Sequence, residues 1–298
     1  MIANHISVCV CTFKRPELLK RTIEGIYQQR TDNLFSYSLV VADNDPARSA
    51  QSMVEELSRQ SPVKLKYCSE PEPNIAMARN MAVSHAEGEF IAFIDDDEFP
   101  AKDWLFHLVC TLKNRSVAGV LGPVRPHFES EPPNWIRKGK FFERPTFQTG
   151  YPVKWDGART GNVLFKREVL DSLEVPFRSQ FATAGEDVDF FRRAMEKGHS
   201  FVWCNEADVY EVVPASRCTK EYLLRRALLR GSNFNKHPTH RLKNAAKSLI
   251  ALPCYTLALP FLALGGKHIY IKYLIKLLDH GGRLLAYAGW SVVTGRQT

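Results

Sequence analysis

Three acidic clusters stand where chemistry could be done. Asp95, Asp96 and Asp97 follow directly on the apolar run Phe90 to Ile94. Carboxylates crowded at the end of a buried strand repel one another unless a cation sits among them. That points to Mg2+ or Mn2+, hard ions that complete their shells with water and substrate phosphates and so imply a diphosphate ligand. The plain alternative is a solvated acidic turn capping a helix near Lys102. Asp43 follows the short apolar run Tyr37 to Ala42 in the same way. It could accept hydrogen bonds from a base or ribose, or simply make an Asx turn within Asp-Asn-Asp-Pro. Glu186, Asp187 and Asp189 crowd a loop-to-helix junction after Gly185. Capping and dipole compensation explain one or two of them; a third could be a general base toward an alcohol. Arg79 and Asn80 lie early on an Ala-rich helical stretch, where a guanidinium could clamp phosphate or remain a surface arginine.

These residues need elements to hold them. Ile6 to Thr12 reads as a strand, Pro16 opens a helix, Tyr37 to Ala42 is a strand, Ser52 to Gln60 a helix and Val63 to Cys68 a strand. Asn74 to Ala86 is a helix and Phe90 to Ile94 a fully apolar strand. Asn162 to Phe165 returns to strand, Asp187 to Lys197 is helical, and Phe201 to Cys204 is a last short strand. Apolar strands alternating with helices predict a largely parallel sheet covered on both faces. Ligands of such sheets bind beyond the strands' carboxyl ends. Thr12 to Arg15, Asp43 to Asp45 and Asp95 to Asp97 all qualify. The stretch 123–152, rich in Pro, Trp and Phe without a clean period, reads as a long insertion flanking the site.

The chain has 298 residues, 45% hydrophobic and 24% charged, enough for a large core and excluding global disorder. Its seven cysteines form no CxxC pair, which argues against a disulfide framework and a zinc cluster and for a reducing setting. No basic-then-apolar leader precedes the first strand, so a secreted protein is not expected. The net charge of +8 is uneven: from Arg217 onward the balance is +12, and before it −4. Long apolar runs interleave the basic residues, including the uncharged Leu249 to Leu264 interrupted by Pro253 and Pro260. This composition fits an anionic membrane surface better than nucleic acid, and no nucleic-acid partner is expected. The uncharged run is short and broken for a span, so a re-entrant or interfacial hairpin is expected, against the plainer alternative of a helical subdomain packed on the body. Ile269 to Leu278 is amphipathic with lysines along one side.

Taken in order, VCVCTFKRP near the start, VVADND around Asp43, NIAMARN at 74–80, FIDDDEFP at 93–100, TGNVLFKR at 160–167 and GEDVDFFRR at 185–193 resemble family 2 inverting glycosyltransferases. The group that builds succinoglycan-type exopolysaccharides is the nearest likeness, over roughly residues 5 to 230. The resemblance implies a GT-A fold, a Rossmann-like, mostly parallel sheet flanked by helices, at 1–216; the basic, apolar remainder at 217–298 is read from its composition as a C-terminal helical, membrane-associating extension. It implies that Thr12, Phe13 and Arg15 line a nucleotide pocket with Asp96, that Asp43 binds the base, and that Arg79 contacts the nucleotide. Asp95 and Asp97 match the outer positions of the DxD motif, with Asp97 as direct metal ligand for Mn2+ or Mg2+. Asp187 matches the catalytic base of the ED motif, beside Glu186. Gly161 and Asn162 fall where the acceptor side is built. No QxxRW motif is present, which argues against a polymerase. Arg225, Arg226 and Arg230 occupy a comparable place and could contact phosphate, and Glu211 falls where some relatives carry a histidine near the metal.

The expected reaction moves a sugar with inversion from a nucleotide-diphosphate donor, UDP-glucose as first guess, to a lipid-linked saccharide at the cytoplasmic face of the plasma membrane. A polyprenyl-phosphate sugar synthase and a metal-dependent nucleotidyltransferase are the alternatives.

Overall fold

The computed structural model describes residues 4–182, 185–233 and 241–290. Strands β1 (His5–Thr12), β2 (Ser36–Asp43), β3 (Leu65–Ser69) and β4 (Phe90–Ile94) alternate with helices α1 (Pro16–Tyr27), α2 (Gln51–Arg59) and α3 (Ile75–Ser84). Pro16 starts α1 at a position that needs no N–H, and Leu19, Thr22, Ile23 and Ile26 form its buried stripe. Asn74 caps α3, its side-chain oxygen accepting from the amides of Ala76 at 3.0 Å and Met77 at 3.4 Å. There follow β5 (Glu98–Pro100), α4 (Trp104–Arg115), β6 (Gly119–Leu121), β7 (Val124–Phe128) and α5 (Asn134–Gly139). Beyond them come β8 (Asn162–Lys166), α6 (Glu168–Asp171), α7 (Glu186–Glu196), β9 (Phe201–Trp203) and β10 (Val209–Val213).

The main sheet runs β3-β2-β1-β4-β8-β6-β9. Pairing is parallel except around β8, which runs antiparallel to both β4 and β6. Alternate residues along each central strand enter opposite cores: Val8, Val10 and Val41 on one face, Cys9, Val40 and Ala42 on the other. Burial on both faces is why these strands read as continuous apolar runs. The register sets Thr12 beside Asp43 and Cys9 beside Phe93, so β1, β2 and β4 deliver their following residues to one edge. The antiparallel register sets Asn162 opposite Ile94, which brings the residue before β8 to the same edge.

The chain divides into two compact units. Residues up to Arg125 together with Arg144–Val212 form one; Pro126–Glu143 with the chain from Val213 onward form the other. The expected boundary at 216 is therefore shifted slightly, and the insertion at 123–152 is shared, its middle part belonging to the second unit. There α5, α8 (Lys220–Asn233) and α10 (Lys267–Tyr287) pack around Ile136, Phe142, Val213, Leu223 and Ile271, and α9 (Arg241–Ala263) lies along α10. The run expected to break at its prolines does not: α9 passes through Pro253 and Pro260 as one helix, and a Gly265–Gly266 turn returns the chain as α10. The remaining parts of the expected extension, 234–240 and 291–298, lie outside the described residues.

Candidate active site

The DDD run emerges from β4 as a turn. Thr12, at the end of β1, donates its hydroxyl to Asp96 at 2.8 Å, and Arg15 reaches Asp96 and Asp97 at 3.3 Å each. Asp95 lies beside α3 and meets Arg79 at 3.7 Å. Phe13 is half-buried in the same loop, with Lys14 over its ring at 5.2 Å.

Arg79 joins the second acidic cluster to the first. It is buried on α3, and its guanidinium pairs with Glu186 at the start of α7 while reaching Asp95. Glu186 is buried, and its second carboxylate oxygen has no hydrogen-bond partner. Gly185 enters α7 with φ +95°, a left-handed conformation that a side chain would strain. The three carboxylates of that junction then separate by role. Asp189 is spent on structure: it is buried and paired with Arg193 at 2.7 Å and Arg192 at 3.2 Å. Asp187 accepts the Val188 amide at 2.7 Å and faces Arg159 at 3.9 Å, and its charge acts on Asp95. Residues 95 and 187, distant in sequence, thus share one electrostatic environment.

A third group of residues completes the acidic face. Glu98 on β5 is buried, takes the Asp95 amide at 3.2 Å and lies opposite Glu211 on β10. Glu211 pairs with Arg144. Gly161 fits here because of its size: a Cβ would stand 2.9 Å from Glu98 Oε1 and 3.1 Å from Asp95 Oδ2. Burial, more than any neighbour, pushes up the carboxyls of Asp95, Asp96 and Glu98; Asp96 reaches about 6, and Glu98 rises well above the usual range. Arg79, Arg15 and Arg144 respectively oppose that rise, while neighbouring carboxylates add to it.

Some expected site residues serve the scaffold. Asn162 is buried, donating to the carbonyls of Pro123 at 2.9 Å and Ala207 at 2.7 Å while its oxygen accepts the Trp104 indole at 2.8 Å. With these donors and its acceptor committed, its side chain ties β8 to its neighbours. Asp43 accepts the amides of Asp45 and Ala50 at 3.0 Å and the Tyr67 hydroxyl at 3.1 Å, so the Asx-turn reading describes its geometry. Arg230 belongs to the second unit and pairs with Asp279 at 2.9 Å; Arg226 is exposed on α8. The sequence reading passed over Arg144, Arg159 and Glu98. Only the β10 register and the path of residues 144–162 bring them in, although Glu98 did extend the acidic run.

Among the described residues, no three His, Cys, Asp or Glu side chains form a ready-made metal cage. The donor set still fits a magnesium- or manganese-type ion: carboxylate oxygens crowded at a strand end, few enough to leave positions for water and phosphate oxygens. A cavity of about 620 Å3 lined by Arg178, Arg193 and Lys197 shares none of these acidic residues.

The mostly parallel sheet thus carries two acidic clusters joined across one arginine, Arg79, at its strands' carboxyl edge. Residues 7–173 match the model of glycosyl transferase family 2, and the chain belongs to that family. It is similar to the "Succinoglycan biosynthesis protein ExoM" of Rhizobium meliloti (strain 1021), 34% identical over 239 residues, covering 78% of this chain and 74% of that one. It also resembles the "GalNAc(5)-diNAcBac-PP-undecaprenol beta-1,3-glucosyltransferase" of Campylobacter jejuni, 30% identical over 98 residues, 31% of this chain and 29% of that one. The solved structure of S. aureus TarS 1-349 in complex with UDP superposes with TM-score 0.55 at 15% identity, covering 96% of this chain and 90% of that one, which establishes the GT-A-type fold.

Proposed function

We propose that this glycosyltransferase moves a sugar, with inversion, from a nucleotide-diphosphate donor to a lipid-linked saccharide in cell-surface polysaccharide or glycolipid synthesis. A UDP-sugar, UDP-glucose first, is the proposed donor. The observation that carries the reading is that Asp95 and Glu186 converge on Arg79, with Asp187 the next residue of α7 and its charge acting on Asp95. The names of the succinoglycan and undecaprenol-linked relatives support the polysaccharide setting and the lipid-linked acceptor, and the UDP-bound structural neighbour supports the donor.

Asp187 takes the proton of the acceptor hydroxyl as that oxygen attacks the anomeric carbon from the face opposite the nucleotide. The sugar–phosphate bond breaks as the new glycosidic bond forms, and configuration inverts. Asp97, with Asp95, would hold Mn2+ or Mg2+, which when bound neutralises charge on the departing diphosphate. Thr12, Phe13, Arg15 and Asp96 line the nucleotide side. Arg79 holds Glu186 and Asp95, which keeps α7 and its Asp187 at a fixed place relative to the DDD turn.

The second unit supports action at a membrane. Ala245–Ala263 is long and apolar enough to cross one by length and composition, with mean hydropathy 1.4. Yet α9 contains two prolines and lies against α10, so we place it on the cytoplasmic leaflet rather than across the bilayer. Leu242, Leu249, Ile250, Leu257 and Phe261 are 63 to 75% exposed and fall within one arc of the α9 helix at 100° per residue. Such a stripe beside basic residues suits an anionic lipid surface.

A thermal-shift screen of UDP-, GDP- and dTDP-sugars with and without Mn2+ tests donor and metal together, because a ligand that binds only the folded state raises Tm. The expected result is the largest rise with a UDP-sugar plus Mn2+, followed by release of UDP on transfer. No rise with any nucleotide sugar, or release of pyrophosphate, would refute the reading.

A further inference from the structure

Arg144 sits where a cation is wanted. Its guanidinium pairs with Glu211, which lies directly opposite Glu98 across the β5–β10 register. Glu98 in turn accepts the Asp95 amide, and its carboxylate and that of Asp95 border the space a side chain at Gly161 would fill. The next strand residue, Val212, donates its amide to the Asp97 carbonyl at 2.9 Å, so Glu211 is a close neighbour of the DDD turn. Two glutamates facing each other across paired strands destabilise a sheet unless a positive charge bridges them, and Arg144 supplies it from outside either strand.

We infer that Arg144 is a tethered cation that occupies the Glu211–Glu98–Asp95 face of the site and competes with the divalent ion for that negative charge, so that loading of metal and diphosphate displaces it. This rests on the reading that Asp95 and Asp97 hold a divalent ion. Burial alone would make the guanidinium easier to deprotonate, but Glu211, Glu98 and Asp95 outweigh it and hold the group charged, so it acts as a permanent positive charge. One guanidinium half-exposed on a flexible stem can leave the carboxylates more easily than a backbone-bound donor could. Its departure would expose Glu211 as a further oxygen ligand beside Asp97, a change no fixed side chain could make.

The test measures Mn2+ binding directly, by the loss of the free-ion electron paramagnetic resonance signal, in the full chain. R144Q and R144M, which remove the charge while keeping much of the stem, should bind Mn2+ about tenfold more tightly than the wild type without nucleotide, the scale of one like charge removed at close range. The difference should shrink when UDP is added, because the wild-type arginine has then been displaced. Equal or weaker Mn2+ binding in both variants would overturn the inference. Failure of the wild type and the variants alike to bind Mn2+, even with UDP, would overturn the underlying metal reading instead. Melting curves without metal establish that the variants are folded, and two substitutions of different polarity guard against the loss of either one.

Discussion

Replacing Arg79 by methionine takes a guanidinium from two carboxylates at once and leaves Glu186, already carrying an unpartnered oxygen, as an uncompensated buried charge. Breaking a buried pair in this way costs about 3 to 5 kcal/mol, so Arg79→Met should lower Tm sharply as well as activity. The paired substitution Arg79→Met with Glu186→Gln should recover much of the stability but not the activity. Asp187→Asn is the contrasting case. Its side chain makes one local amide contact and a long approach to Arg159, so the fold and the Tm shift with UDP should remain while turnover falls by about 10²- to 10⁴-fold. Near-normal transfer by this variant would remove Asp187 as the base. Asn162→Ala separates scaffold from acceptor site: it strands an indole N–H and two carbonyls, at about 1 to 3 kcal/mol for each unsatisfied group. Calorimetry should show the loss of stability, and the surviving folded enzyme should keep its acceptor KM.

At the scale of elements, α9 and α10 behave as a pair. Ser248 on α9 and His280 on α10 are buried against each other at 2.9 Å, and burial, followed by the Arg283 charge, holds the His280 pKa below its ordinary 6.5. The unfolded chain takes up that proton first, so this contribution is intact above pH 6.5 and is lost as pH falls below it. Unfolding midpoints at pH 7.5 and 5.5 should therefore converge in His280→Gln relative to the wild type. On the other face of α9, Leu257→Asp with Phe261→Asp changes only exposed positions. It should leave Tm unchanged and reduce cosedimentation with anionic vesicles by at least tenfold, given about 1.5 to 3 kcal/mol for each large apolar side chain buried. This is cleaner than removing α9 and α10 together, because Ile271 belongs to the core of the second unit and its loss would open that core.

For the whole molecule the decisive quantity is the uneven charge, −4 before Arg217 and +12 from there on. Attraction between a basic segment and an anionic leaflet is screened within roughly 8 Å at physiological salt and within about 3 Å at 1 M. Vesicle binding by the full chain should therefore weaken steeply with added salt, leaving the apolar contribution of α9 as the residue. Salt-independent binding would mean that charge plays no part. The charge balance bears on membrane attraction alone; the proposed site residues Asp95, Asp97 and Asp187 belong to the first unit.

The sequence by itself determined β1 to β4, β8 and β9, the alternation of the first four with helices and the placement of Asp95 to Asp97 at a strand end, because these follow from local periodicity and fully apolar runs; the short strands β5, β6, β7 and β10 carried no such run and were not read. It also carried the six segments from which the family could be read. Only the tertiary structure decided which residues around those segments face one another. The β4–β8 register turned Asn162 into a scaffold amide and Gly161 into the neighbour of two carboxylates, while the β5–β10 register set Glu211 against Glu98. It likewise carried α9 straight through two prolines that read as breaks. Strand register and ion-pair choice are relations between residues far apart in the chain, and local patterning carries no term for them.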